Sequence, residues 1–204
     1  RTEMSKLFCI MGKSASGKDT IFKRLVQDEA LNLKTVVSYT TRPMREGEKE
    51  GVEYHFVSPQ ILETFRNEGR VIECRDYHTV HGLWNYFMVD DGQIDFSGPR
   101  DLIIIGTLES YQKIRNFFGK EHVRPIYIYV EDGLRLSRAL EREKQQAVPG
   151  YAEMCRRFLA DMEDFSEERL KQCEIEHRYE NLDMEICLKE IRKDILKFRD
   201  NEVS

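Results

Sequence analysis

Two glycines with four residues between them, and a lysine directly after the second, stand at Gly12-Lys13-Ser14-Ala15-Ser16-Gly17-Lys18. Glycines at that spacing let a backbone curl until several N–H groups converge on one anion. The apolar run Leu7 to Met11 precedes them and has no helical period, so it reads as a buried parallel strand. Ile21-Phe22-Lys23-Arg24-Leu25-Val26 follows with apolar residues near helical spacing. Strand, glycine loop, lysine and helix in that order form a phosphate-binding loop in the context it requires. The helix from about Gly17 turns its positive N-terminal end toward the same anion. Lys18 brings a mobile charge to the outer phosphates of a nucleoside triphosphate. The donor site is therefore read as Gly12, Lys13, Ser14, Ala15, Ser16, Gly17, Lys18, Asp19 and Thr20. After such a lysine a Ser or Thr hydroxyl ordinarily binds Mg²⁺. Here Asp19 holds that position and Thr20 comes one later. Asp19 reads equally well as an acid favouring a helix start and as a magnesium ligand, direct or through water.

A second constellation lies in Ser38-Tyr39-Thr40-Thr41-Arg42-Pro43-Met44-Arg45-Glu46-Gly47-Glu48 and continues to Tyr54-His55-Phe56-Val57. It is too dense in Thr, Arg, Gly and Glu for a core element and reads as a functional loop. Arg42 and Arg45 flank a stiffening Pro43, and guanidinium groups match phosphate through bidentate, charge-assisted hydrogen bonds. Glu48 and Glu73, when ionised, only accept hydrogen bonds. A guanine edge offers N1–H and an amine as donors, so one carboxylate suits it. Two arginines, an aromatic hydroxyl and a carboxylate fit a purine monophosphate. By itself the stretch reads equally as a charged surface loop; its position after a phosphate loop favours the binding reading.

Strands are expected at 35–38, 54–57, 71–74, 102–105 and 126–130, with a polar one at 175–180. Helices are expected after Gly17 and over 59–68, 108–118, 134–143, 151–170 and 183–198, and short strands and turns over 75–100. Strands alternating with helices imply a parallel sheet covered on both faces. The 204 residues suffice for one well-cored domain. The formal charge of −5, from 32 basic and 37 acidic residues, argues against a nucleic-acid or membrane surface. No 18-residue apolar stretch and no signal peptide are visible. Five cysteines, an odd number without a C-x-x-C pair, point to free thiols in a reducing, cytoplasmic setting rather than to zinc or disulfides. Arg1-Thr2-Glu3 reads as an addition ahead of a natural start at Met4.

Through Gly12–Thr20, Ser38 to Arg42, Arg45, Gly47-Glu48, Gly51 and Tyr54-His55-Phe56-Val57-Ser58, the chain resembles the guanylate kinases and their non-catalytic relatives. The resemblance implies an α/β P-loop kinase fold: a parallel five-stranded sheet flanked by helices, with a small mixed α/β GMP-binding lobe and a helical lid. The core would be 4–37, 101–137 and 158–204, the lobe 38–100 and the lid 138–157. ATP would be the phosphoryl donor, with Mg²⁺, and GMP the acceptor, in a monomer or homodimer. Ser38, Arg42, Arg45 and Tyr54 would hold the GMP phosphate, Glu48 would support those arginines, and Glu73 would face the base. Arg138 and Arg142 would be lid arginines, and Arg157 a third, with Arg156 an equal candidate. The family's Tyr-Gly-Ser finds its best match at His81-Gly82-Leu83, which would place His81 in the acceptor site while lacking the tyrosine and a base-contacting hydroxyl. The family's strand-end Asp-x-Asp is replaced by Ile105-Gly106-Thr107. A kinase of ribose 1,5-bisphosphate and a binding module without turnover are the alternatives.

Overall fold

A computed structural model describes residues 5–200; Met4, read as the start, lies outside the described residues. Strand β1 (Leu7–Gly12) is buried along its whole length. Helix α1 (Lys18–Gln27) follows directly after the glycine loop. Strand β2 (Lys34–Thr35) pairs with the core sheet, whereas β3 (Tyr39–Thr40) and β4 (His55–Phe56) belong to a second sheet. The expected strand over 35–38 is thus a two-residue edge before a crossing between sheets. Helix α2 (Pro59–Asn67) starts as expected, with Pro59 in its first turn and the Ser58 hydroxyl accepting from the Ile61 N–H.

Strands β5 (Val71–Thr79) and β6 (Gly82–Val89) form one long antiparallel hairpin, not the short strands and turns expected over 75–100. Strand β7 (Leu102–Ile105) leads into α3 (Leu108–Phe118), whose start carries a reciprocal capping box between Thr107 and Ser110. Strand β8 (Val123–Tyr129), α4 (Asp132–Lys144), α5 (Tyr151–Asp164), α6 (Glu167–Gln172), β9 (Tyr179–Glu180) and α7 (Met184–Asp200) complete the chain. The long helix expected over 151–170 breaks at Phe165. That side chain is buried and stacks on Tyr127 at 5.6 Å, while Ser166 caps α6 anew.

The core sheet has five parallel strands in the order β2-β7-β1-β8-β9. Its central strand divides its side chains between two apolar layers. Leu7, Cys9 and Met11 pack with Ile104, Tyr111, Ile114 and Phe165 on one face, and Phe8 and Ile10 with Ile21, Leu25, Ile191 and Ile195 on the other. Each such fully buried side chain contributes about 1.5–3 kcal/mol, which makes the strand beneath the glycine loop a rigid base. The second sheet runs β4-β3-β6-β5 and packs Phe87 and Val89 against Leu62 of α2.

Both ends of the loop depend on backbone space. Gly17 has φ +84°, and a Cβ there would lie 2.5 Å from the Asn181 amide, which donates to the Ser16 carbonyl. Ala15 takes φ +62° without being glycine. Left-handed backbone costs a residue with a Cβ about 1–2 kcal/mol, part of which glycine returns as unfolded-state entropy. Ala15→Gly is therefore expected to stabilise the fold by about 0.5–1 kcal/mol, read as a higher thermal midpoint. A lower midpoint would mean that the Ala15 methyl packs usefully.

Candidate active site

The loop joins β1 to α1 and faces a cavity of about 670 Å³ bordered by Gly12, Lys18, Arg75, Thr107, Asp161 and Asp164. The Lys18 ammonium stands 3.6 Å from the Asp19 carboxylate. Asp19 itself is 76% exposed and Thr20 is exposed. Lys13, read with the phosphate site, turns instead to α4 and α5: its Nζ lies 3.1 Å from Asp132 and 3.8 Å from the Met162 sulfur.

Two residues at this loop were not singled out from the sequence. The Ser14 N–H donates to Asp161 Oδ2 at 2.7 Å, so a carboxylate of α5 caps the loop. Arg135, only 1% exposed, donates to the Ser14 carbonyl and to Asp132, lies 3.8 Å from Asp161, and sits 4.3 Å from the Phe158 ring centre. The signal for Arg135 was present: 135, 138 and 142 recur at helical spacing on one face of α4. Asp161 carried no such signal, because its role comes from packing across the fold.

The arginines expected in a lid divide between two places. Arg142 and Arg157 border a cleft of about 390 Å³ with Ser14, Arg135 and Phe158. Arg138 instead donates to the Asn181 carbonyl at 3.1 Å. Arg156 forms a two-pronged pair with Glu153, which Arg157 also reaches. Arg157 borders the cleft as well, which separates it from Arg156.

On the second sheet, Arg42 is 4% exposed. Its guanidinium donates to both oxygens of Glu48 at 2.8 and 2.9 Å, and its Nε–H to the Tyr86 hydroxyl at 3.1 Å. Glu48 also accepts from the Arg45 N–H at 2.7 Å, closing the turn that follows Pro43. The Arg42 hydrogen bonds hold the Glu48 carboxyl down at about 2. The Tyr54 and Phe56 rings lie 5.6 and 5.7 Å from the Arg42 guanidinium carbon. Ser38 is half-buried and its carbonyl accepts from the His55 N–H, while Arg45 is exposed. Glu73 is buried on β5, and burial pushes its carboxyl above the ordinary range.

His81 requires correction. It sits exposed at the tip of the β5–β6 hairpin, its ring stacked on Trp84 at 6.0 Å, and takes no part in the Arg42 network. The tyrosine hydroxyl beside Arg42 belongs to Tyr86. The observed register, Arg75 opposite Tyr86, carries the aromatic five residues beyond His81. The end of β7 is closely packed against α3 and β1. A Cβ at Gly106 would meet Ser110 Oγ at 2.6 Å and Cys9 Sγ at 3.3 Å, and the Thr107 hydroxyl is taken up in capping α3. Among the described residues no group of three or more His, Cys, Asp or Glu could hold a metal ion. A nucleotide-borne magnesium needs no such cage, since the phosphates themselves supply oxygens.

A five-stranded parallel sheet with a glycine loop at the end of its central strand is a P-loop kinase fold. Residues 4–90 match the family model described as guanylate kinase. Over 76 residues the chain is 40% identical to a guanylate kinase of Syntrophotalea carbinolica, an alignment spanning 37% of this chain and 34% of that protein's length. Over 198 residues it is 26% identical to the guanylate kinase of Porphyromonas gingivalis, covering 96% and 98% of the two chains. The structure of a guanylate kinase from Anaplasma phagocytophilum shares the fold with a TM-score of 0.60 at 21% identity, over 99% of this chain and 88% of that one. The chain is thus similar to guanylate kinases, most strongly over its first 90 residues and more distantly along its whole length.

Proposed function

We propose that the protein moves the γ-phosphoryl group of ATP to GMP, giving ADP and GDP. The observation that carries this reading is the two-pronged Arg42–Glu48 pair, capped by the Tyr86 hydroxyl, on the sheet whose Arg75 shares a cavity with Lys18. In this reading Ser38, Arg42, Arg45, Tyr54 and Tyr86 hold the acceptor phosphate, with Glu48 fixing the arginines and Glu73 at the base. Residues 38–100 act as the acceptor lobe and 138–157 as the lid, on a core of 4–37, 101–137 and 158–204.

An oxygen of the GMP phosphate attacks the γ-phosphorus as the bond to the β,γ-bridging oxygen breaks, and ADP leaves with the electron pair. No nucleophilic side chain is required. Lys18 and the loop N–H groups stabilise charge on the transferring group, joined by Arg142 and Arg157 from the lid side. Donor entry displaces Asp161 from the Ser14 N–H, which ties ATP binding to a movement of α5. The donors near the loop are hard oxygens, which suits Mg²⁺; Asp19, directly or through water and with Thr20, would hold it, and it would neutralise charge on the β- and γ-phosphates. Lobe and lid closure excludes water as a competing acceptor. We place the enzyme in the cytoplasm, in keeping with five unpaired thiols, as a monomer or homodimer. No helix among the described residues is long and apolar enough to cross a membrane.

The test is ADP formation with each of GMP, AMP, CMP and UMP at saturating ATP. GMP is expected to be the preferred acceptor, and an enzyme that consumes ATP equally with all four, or with none, contradicts the reading. For the metal, Asp19→Ala is expected to raise the free Mg²⁺ needed for half-maximal activity. An unchanged Mg²⁺ dependence would leave Asp19 as a helix-start acid only.

A further inference from the structure

Glu73 and Arg75 stand two residues apart on β5, so their side chains leave the same face of the hairpin. Arg75 borders two spaces at once: the cavity shared with Lys18, Gly106 and Thr107, and a recess of about 440 Å³ walled by Tyr54, Tyr77, Trp84 and Tyr86. The Glu73 side chain is 3% exposed, and its Oε2 has no hydrogen-bond partner. The buried Nε–H of Arg75 has none either. The two atoms lie 3.5 Å apart, close enough to attract but too far to satisfy each other. A buried charged group left without hydrogen bonds is costly, and native structures rarely keep one without a reason. Here an acceptor and a donor stand side by side where a base is expected, each lacking a partner.

A ligand that satisfies both must present a donor next to an acceptor. The lactam edge of a 6-oxopurine does so, with N1–H beside O6. Adenine presents the opposite order, N1 as acceptor beside an amino donor, and would set lone pairs against Glu73 and hydrogens against Arg75. Among the donors around these spaces, Arg75 is the one whose N–H stands beside the Glu73 carboxylate. Met88, opposite Glu73 across the hairpin, is buried and apolar.

We propose that Arg75 is a specificity-determining residue that donates to O6 of the acceptor base while Glu73 accepts from N1–H, so that the pair selects 6-oxopurine monophosphates over adenine. The proposal rests on the GMP kinase reading above and adds to it a residue that the resemblance did not supply. GMP and IMP share the O6/N1–H edge and AMP lacks it, which gives Arg75 a signature distinct from that of a phosphate ligand.

The experiment measures kcat/KM with GMP, IMP and AMP, and equilibrium Kd for the same nucleotides without ATP, in the wild type, Arg75→Ala and Arg75→Lys. Arg75→Ala is expected to lower kcat/KM for GMP and IMP alike, on the order of 10- to 100-fold, and to leave AMP unchanged. Arg75→Lys, which keeps a donor, recovers part of the loss and guards against an unstable alanine variant. An equal fall for all three nucleotides would make Arg75 a phosphate ligand, and no fall for any would make it a surface charge. Either result overturns the inference while GMP turnover by the wild type still stands. A wild type that turns over none of the three overturns the kinase reading instead. The Kd values then decide the inference alone: preference for GMP and IMP over AMP, abolished in Arg75→Ala, supports it, and no preference rejects it.

Discussion

Lys18→Ala is expected to lower turnover by about 10²–10³-fold, the effect of removing one well-placed charge from a transferring group, about 3–4 kcal/mol of barrier. GMP binding in the same variant should stay near the wild-type value. The reason lies in the architecture: Lys18 starts α1 at the end of the core sheet, whereas Arg42, Glu48 and Tyr86 are held by the second sheet. Single-turnover rates and GMP titrations on one preparation separate the two effects. A variant that keeps near wild-type turnover removes Lys18 from the donor site. A variant that loses GMP affinity as well shows that the two sheets do not act independently.

The second large effect is expected at Arg42. Arg42→Ala should weaken GMP and AMP alike, by about 10²-fold, because a guanidinium–phosphate contact is charge-assisted and blind to the base. Arg42→Lys should recover little, since an ammonium cannot reproduce the fork that now spans both Glu48 oxygens and the Tyr86 hydroxyl. Discrimination between the two bases after the mutation would place Arg42 at the base instead. The same pair predicts an acid response. The Glu48 carboxyl is held at about 2 in the fold, below its ordinary 4.5. A depressed carboxylate stabilises fully above the unfolded value, and the contribution is lost as pH falls through the folded one. The wild type should therefore exceed Arg42→Ala in thermal midpoint at pH 7, with the gap closing between about pH 4.5 and 2. A gap independent of pH would mean that Arg42 stabilises by packing alone.

How much of this was legible in the sequence follows the range of the interactions involved. The glycine loop was readable because its determinants are local: a fully apolar strand, two glycines and a helix start, all within one stretch. The Ser58-Pro59 helix start was readable for the same reason, since it closes over a few residues, whereas the support of Arg42 by Glu48 was implied by the family resemblance alone. The hairpin was not. Its length is set by pairing between β5 and β6, and the motif match at His81 did not reveal that Tyr86 stands beside Arg42. The helix break at Phe165 was hidden because a buried stack on Tyr127 overrides continuous helical propensity. Arg135 shares a helix face with Arg138 and Arg142, but its contact with the Ser14 carbonyl, like that of Asp161 with the Ser14 N–H, is made across the fold and is not encoded by spacing along the chain. The end of β7 shows the reverse case: the departure from the family pattern at Ile105 and Thr107 was visible, but the crowding of Gly106 by Ser110 and Cys9 was not.

The central claim is phosphoryl transfer from ATP to GMP, and the most direct measurement follows the phosphate itself. The protein is incubated with ATP labelled at the γ-phosphate, Mg²⁺ and GMP, and the products are separated. The account predicts label in the β-phosphate of GDP, formed in step with ADP and lost in Lys18→Ala. Label appearing only as inorganic phosphate, or remaining on ATP while GMP binds normally, would contradict it.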